Sequence, residues 1–318
     1  MQKLRPQMFI EAGNTRAPSN IVLQILIFAA VFCVIAVAEG IGGSIFALPA
    51  MISELMKADQ SSLDFRQSYA LAASVMKDWK VMVPTLYFTV FGTVLSVVYC
   101  RFIEKRSLGS MGIRKKNALK HYLRGFLTGF LLMSVIAGAS VLMGTAKISV
   151  VSGINAGVIL LYFLGWLLQG MSEEFIFRGY LMNTVGGKHS AAVALTVSSV
   201  AFAAAHLSNT GISLLAFANL VLFAVFAGLY MICFDDIWGA CAIHSVWNFT
   251  QGNVFGISVS GTGEADSFLR TTAVSSRTWL TGGDFGIEGS IFTTIVLAAA
   301  TAMVIFRIRK TQTVAQNA

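Results

Sequence analysis

The chain has 318 residues, of which 56% are hydrophobic and only 12% charged, with a mean hydropathy of +0.72. A soluble domain carries about 25% charged residues, so a chain this apolar has too little polar surface to cover itself and reads as a membrane protein. The formal charge of +8 does not signal nucleic acid, because the basic residues flank apolar runs, where anionic headgroups and membrane topology select them.

Residues 1–20 are polar, with Lys3, Arg5 and Arg16, and read as a mobile cytosolic tail. The run over 21–52 is the first span. It starts too late and runs too long for a signal peptide, so it is read as retained. Glu39 interrupts it among Gly40, Gly42 and Gly43 and marks a kinked or cavity-facing point. Residues 53–80 are a charged connection with interfacial helical character. The second span is 81–103, and residues 101–124 hold the densest positive charge. The third span is 125–144. The fourth lies within 151–183, and the fifth to eighth are 189–207, 213–232, 237–257 and 290–306. A loop rich in Gly, Ser and Thr covers 258–289, and a basic cytosolic tail covers 307–318. At 1.5 Å per residue each span is roughly long enough for a hydrocarbon layer about 30 Å thick. The expected architecture is therefore all-α: a polytopic bundle of about eight transmembrane helices over 21–306. The fifth to seventh should be neighbours, with Ala203, Ala204 and Ala205 permitting close approach. Cys33, Cys100, Cys233 and Cys241 form no CxxC pair and read as small core hydrophobes.

An even number of spans puts both termini on one side. That side collects sixteen of the 23 Lys and Arg, against seven opposite. The positive-inside rule assigns it to the cytoplasm. Counting Arg178 and Lys188 in a cytoplasmic turn sets the neighbouring glutamates just inside that face.

Ionisable residues within spans cost several kcal/mol unless paired or facing a wet cavity. Those here are Glu39, Glu173, Glu174, Arg178, His206 and His244, joined by the amides Asn219 and Asn248. Glu174 and Arg178 are four apart and share a helix face, so they can pair. Glu173 points about 100° away and is left for a polar cavity, which suits a general base. His244 and Asn248 also share a face. His121 and His189 lie in connections and read as solvated or interfacial. Two chemistries fit. The two imidazoles and a carboxylate could bind zinc, although no HExxH is present. Alternatively, Glu173 and His206 activate water while His244 and Asn248 hold the oxyanion. Ser172 is a weak nucleophile candidate, and no GxSxG elbow or phosphate loop exists. Two non-hydrolytic readings compete. One is a proton-relaying transporter using Glu39, Glu173 and His206, against which no internal repeat is visible. The other is a bundle whose buried polar groups only specify packing.

Glu173-Glu174-Phe175-Ile176-Phe177-Arg178, then Phe202-Ala203-Ala204-Ala205-His206, then His244-Ser245-Val246-Trp247-Asn248 reproduce the order EExxxR, FxxxH, HxxxN. The chain resembles the CPBP family of CAAX prenyl protease 2 and the bacterial Abi or bacteriocin-immunity membrane proteases, over about 120–255. Residues 101–116, 247–261 and 276–286 also resemble bacterial members. The resemblance implies an intramembrane endopeptidase of a bacterial cytoplasmic membrane, acting on membrane-associated peptides or proteins. Glu173 would be the essential glutamate and His206 its partner in activating water. His244 and Asn248 would form the oxyanion site, with Glu174 and Arg178 orienting it. It implies either no cofactor, which we favour, or a Zn2+ ion held by Glu173, His206 and His244. A non-catalytic immunity or regulatory protein on the same scaffold is the alternative.

Overall fold

A computed structural model describes residues 5–57 and 77–317, with positions 64, 67, 68, 71, 74 and 75 between them. Nearly half of the connection read over 53–80, and residues 1–4 of the tail, lie outside the described residues. The fold is a helical membrane bundle. Among the described residues, six helices are long and apolar enough to cross a membrane: α2 (Ile21–Lys57), α3 (Trp79–Ile103), α4 (Ala118–Leu142), α5 (Ala156–Lys188), α7 (Leu214–Phe234) and α9, whose apolar part is Ile291–Thr311. The fifth and seventh expected spans are shorter. α6 (Ala191–Ala205) has 15 residues and α8 (Trp238–Phe249) has 12, prolonged by a π-helical turn over Thr250–Val254. α8 is buried from Gly239 to Asn248, so its partners are other helices rather than lipid.

Local sequence sets the helix starts. Asn155, Ser190 and Ser213 cap α5, α6 and α7 by accepting bonds from backbone N–H groups two or three residues on. α4 meets α8 where Gly125 and Gly129 stand over the carbonyls of Gly239 and Ile243, too close for a side chain. α6 packs on α7, and of its alanine triplet only Ala203 is fully buried. On α2, Val22, Leu26, Val34, Val37, Ile41 and Ile45 are exposed, an apolar ladder suited to face lipid.

At one end of the bundle the supposed tail is structured. α1 (Gln7–Gly13) buries Met8, Phe9 and Ala12, with Phe9 and Ala12 packed on Gly186 and Gly187 at the end of α5. Lys188 Nζ donates to the Gly13 carbonyl at 2.8 Å and Arg5 to that of Gly186 at 2.7 Å. Arg114 reaches Glu11 at 3.1 Å and Asp235 at 3.2 Å. The expectation of a mobile tail therefore fails for residues 7–13, because three buried side chains and these bonds hold them.

The opposite end carries the one sheet among the described residues. β1 (Ala146–Val150) pairs antiparallel with β2 (Leu269–Ala273), with Ala146 opposite Ala273. The stretch expected as a glycine-rich loop folds back onto α7 and α8 through short helical turns at Thr278–Thr281, Gly283–Phe285 and Ile287–Gly289. Gly286 has φ +99° and touches the Ser258 carbonyl, a place closed to any side chain. Buried Glu288 anchors the stretch. It accepts from Trp247 Nε1 at 3.1 Å, Gln251 Nε2 at 3.2 Å, and Ser260 N and Oγ at 2.7 and 2.8 Å.

Candidate active site

α5 changes helix type at the glutamate pair. It is α-helical to Glu174 and π-helical over Phe175–Met182, then returns to α-helix over Asn183–Lys188. Such wide turns gather at functional sites because they re-aim side chains. The far part of the wide segment is held by Arg106, which is fully buried and donates to the carbonyls of Gly179 at 3.0 Å and Tyr180 at 3.2 Å. It also bonds Thr184 and pairs with Glu104 at 3.3 Å. Burial pushes the Glu104 carboxyl up, against the pull of Arg106. Arg106 belongs to the stretch read as headgroup charge, yet it is a core residue.

Glu174 and Arg178 are both fully buried, and Arg178 Nη1 lies 3.1 Å from Glu174 Oε1. The contact is an ion pair without aligned hydrogen-bond geometry. The guanidinium also sits over the Phe202 ring, 4.5 Å from its centre. The same Glu174 oxygen accepts from His244 Nδ1 at 2.8 Å. A carboxylate facing Nδ1 requires that nitrogen to carry the proton, so Nε2 of neutral His244 is a lone-pair donor. It lies 3.6 Å from Glu173 Oε2. His206 is fixed in the same way from its own helix: Nδ1 donates to the Phe202 carbonyl at 2.9 Å, and Nε2 lies 3.9 Å from Glu173 Oε2. The FxxxH spacing thus has a physical meaning, since the histidine closes the last turn of α6 on the phenylalanine's carbonyl.

Glu173 is held from its other side. Its Oε1 accepts from Gln169 Nε2 at 2.7 Å, and Gln169 Oε1 accepts from Asn248 Nδ2 at 2.8 Å. Its Oε2 has no hydrogen-bond partner among the described residues. A cavity of about 100 Å³ lies before it, lined by Gln169, Glu173, His206, His244, Asn248 and Glu288. That is room for about three waters. It adjoins a polar vestibule of about 1570 Å³ at Asn209, Ser260 and Thr262, on the β1–β2 side.

The structure therefore brings Glu173, Glu174, Arg178, His206, His244 and Asn248 together. It moves them from where charge counting set them. Glu173 lies midway along the 33-residue α5, roughly 22 Å of helix before Lys188. Its cavity adjoins the vestibule at the end away from the termini. The reason is that Arg178 is no turn residue: α5 continues ten residues beyond it, packed under α1. His121 pairs with Asp236 at the start of α8. His189 stays at the end of α5. Asn219 spends its amide on the carbonyls of Glu288 and Ser290, at 2.7 and 2.9 Å, and so fixes the loop to α7. Ser172 lies behind Glu173, 1% exposed. Gln169 and Glu288 are additions to the site. Gln169 was visible as a polar residue one turn before Glu173; nothing local pointed to Glu288.

The donor set does not suit zinc in this arrangement. A tetrahedral ion with bonds near 2.0–2.1 Å sets its donor atoms about 3.3 Å apart, and both Nε2 to Oε2 separations are longer. Among the described residues no three His, Cys, Asp or Glu side chains are placed to hold a metal ion.

No curated protein matches the chain. The segment that carries the site, residues 155–250, matches the family model described as Type II CAAX prenyl endopeptidase Rce1-like.

Proposed function

We propose that the protein is an intramembrane endopeptidase that cleaves membrane-associated peptides or proteins with water activated by Glu173. One observation carries this reading: a carboxylate oxygen with no hydrogen-bond partner among the described residues, faced by two imidazole Nε2 atoms whose tautomers are fixed from behind, over a cavity sized for water. Water between these three atoms gives a proton to Glu173, and its oxygen attacks the scissile carbonyl. The carbonyl oxygen becomes the oxyanion. Asn248 Nδ2 has a second hydrogen to offer it. His244, with Nδ1 turned to Glu174, presents Nε2 as a hydrogen-bond acceptor that helps to orient the attacking water. Collapse breaks the C–N bond, and Glu173 passes its proton to the leaving nitrogen. The books close with one water consumed, one acid and one amine formed. Because the residues do not fit a metal ion, no step runs through one.

The distribution of basic residues favours termini in the cytoplasm, now with fourteen residues rather than sixteen on that side, since Arg106 and Arg178 are internal. Substrate and water would then enter from the opposite face, through the vestibule. The test is cleavage of a library of membrane-tethered peptides by the purified protein in proteoliposomes. Glu173→Gln, close in shape to the native side chain, should lower kcat by about 10²–10⁴-fold without a change in thermal unfolding. Equal cleavage by wild type and variant would sink the proposal. A kcat loss matched by unfolding would reduce Glu173 to a packing residue.

A further inference from the structure

Glu173 faces a second cavity, of about 190 Å³, on the side away from His244 and Asn248. Its lining includes Phe32, Glu39, Ser172, Glu173, Ile176 and Phe177. The two cavities share Glu173, His206 and Asn209, so this one opens directly beside the reacting atoms. Glu39 arrives from the middle of α2. Gly92 of α3 makes its approach possible: a Cβ there would stand 2.8 Å from Glu39 Oε1 and collide with Ser172 Oγ.

Three buried polar atoms, Glu39 Oε1, Ser172 Oγ and Glu173 Oε2, have no hydrogen-bond partner among the described residues. Among the described residues no lysine or arginine lines the cavity, and the nearby Arg178 is committed to Glu174 and the Phe202 ring. Carboxylates inside a membrane protein persist where they pair or serve a ligand. Phe32, Ile176, Phe177 and Ala205 supply apolar wall, and Thr89, His206 and Asn209 complete the polar side. The cavity is part apolar and part polar, carries two carboxylates and no balancing cation from its own described lining, and holds about six water volumes. The side chain that complements it has a straight apolar stem and a cationic head, which describes lysine or arginine.

Resting on the peptidase reading, we propose that this cavity is a side-chain subsite taking a Lys or Arg of the substrate beside the scissile bond, with Glu39 as its specificity-determining carboxylate. The peptide carbonyl then lies against Glu173 and the histidines while the basic side chain lies under α2.

Two measurements on the full-length protein test this. The first is thermal unfolding in detergent with n-butylammonium chloride, and with n-butanol as the uncharged control. Wild type should be stabilised by the ammonium and not the alcohol, and Glu39→Gln should lose the difference. The second is the cleavage profile of a peptide library. Wild type should prefer Lys or Arg at one position adjoining the cut. Glu39→Gln should reduce the kcat/KM ratio of basic to methionine substrates roughly 30-fold or more, and Glu39→Asp should retain most of the preference. A uniform loss on all substrates, or no basic preference in wild type, overturns the subsite while Glu173-dependent cleavage keeps the peptidase. Glu39-dependent ammonium binding without any cleavage keeps the cation site and removes the peptidase. Absence of both sinks the two together.

Discussion

The two ends of the bundle are built from different chemistry. Around α1 the chain is tied by charge: Arg5, Arg106, Arg114 and Lys188 all reach backbone carbonyls or carboxylates. Around β1 and β2 it is tied by hydroxyl, amide and backbone groups, with Glu288 as a carboxylate that gathers four donors and no cation. The first end carries the termini and braces the wide turn of α5 from below. The second forms the roof and vestibule of the proposed site. A surplus of Lys and Arg at one end therefore has two origins, topology and internal bracing, and only the first follows from membrane electrostatics.

Substitutions can separate these origins. The largest effect should come from Arg106→Met, which strands buried Glu104 and the Gly179 and Tyr180 carbonyls. Removing one partner of a buried pair costs about 3–5 kcal/mol, readable as a fall in the unfolding midpoint in detergent. A change within about 0.5 kcal/mol, ordinary for a surface residue, would return Arg106 to the class of headgroup charges. Next comes Phe9→Ala, at about 3 kcal/mol, the lower end for a buried phenylalanine, because α1 sits at the periphery. Faster proteolysis within residues 1–16 should accompany it, and unchanged cleavage would restore the mobile tail. Glu288→Gln should cost about 1–3 kcal/mol, since the amide cannot accept as many of its four donors. It should also raise hydrogen exchange across 256–263 without altering that of α1. Loss of protection at both ends would mean that they are not independent.

Much of this was legible because it is local. The apolar runs located the long helices, and four-residue spacings located Glu174 with Arg178, His206 with Phe202, and His244 with Asn248. The first pairing survives on a π-helical turn that periodicity alone does not announce. What depends on two distant segments was not legible. Glu39 meets Ser172 because Gly92 lies between them, and these positions are far apart in the chain. Glu288 reaches Ser260 and Trp247 through a fold-back that composition reads as a plain loop. The depth of Glu173 was misjudged for a related reason. Counting Arg178 with Lys188 in a cytoplasmic turn sets Glu173 too near that face, whereas Arg178 lies inside the bundle against Glu174 and the Phe202 ring.

The bonding of Glu288 also fixes how the molecule should respond to ionic strength. Its donors are neutral and its carboxylate is buried, so added salt has little field to screen. The Arg114–Glu11 pair that fastens α1 is about one quarter exposed on each side chain, within reach of counterions. Raising salt should loosen the docked α1 while the roof over Glu173 keeps its grip, so the two ends would part company in electrolyte before they do in heat.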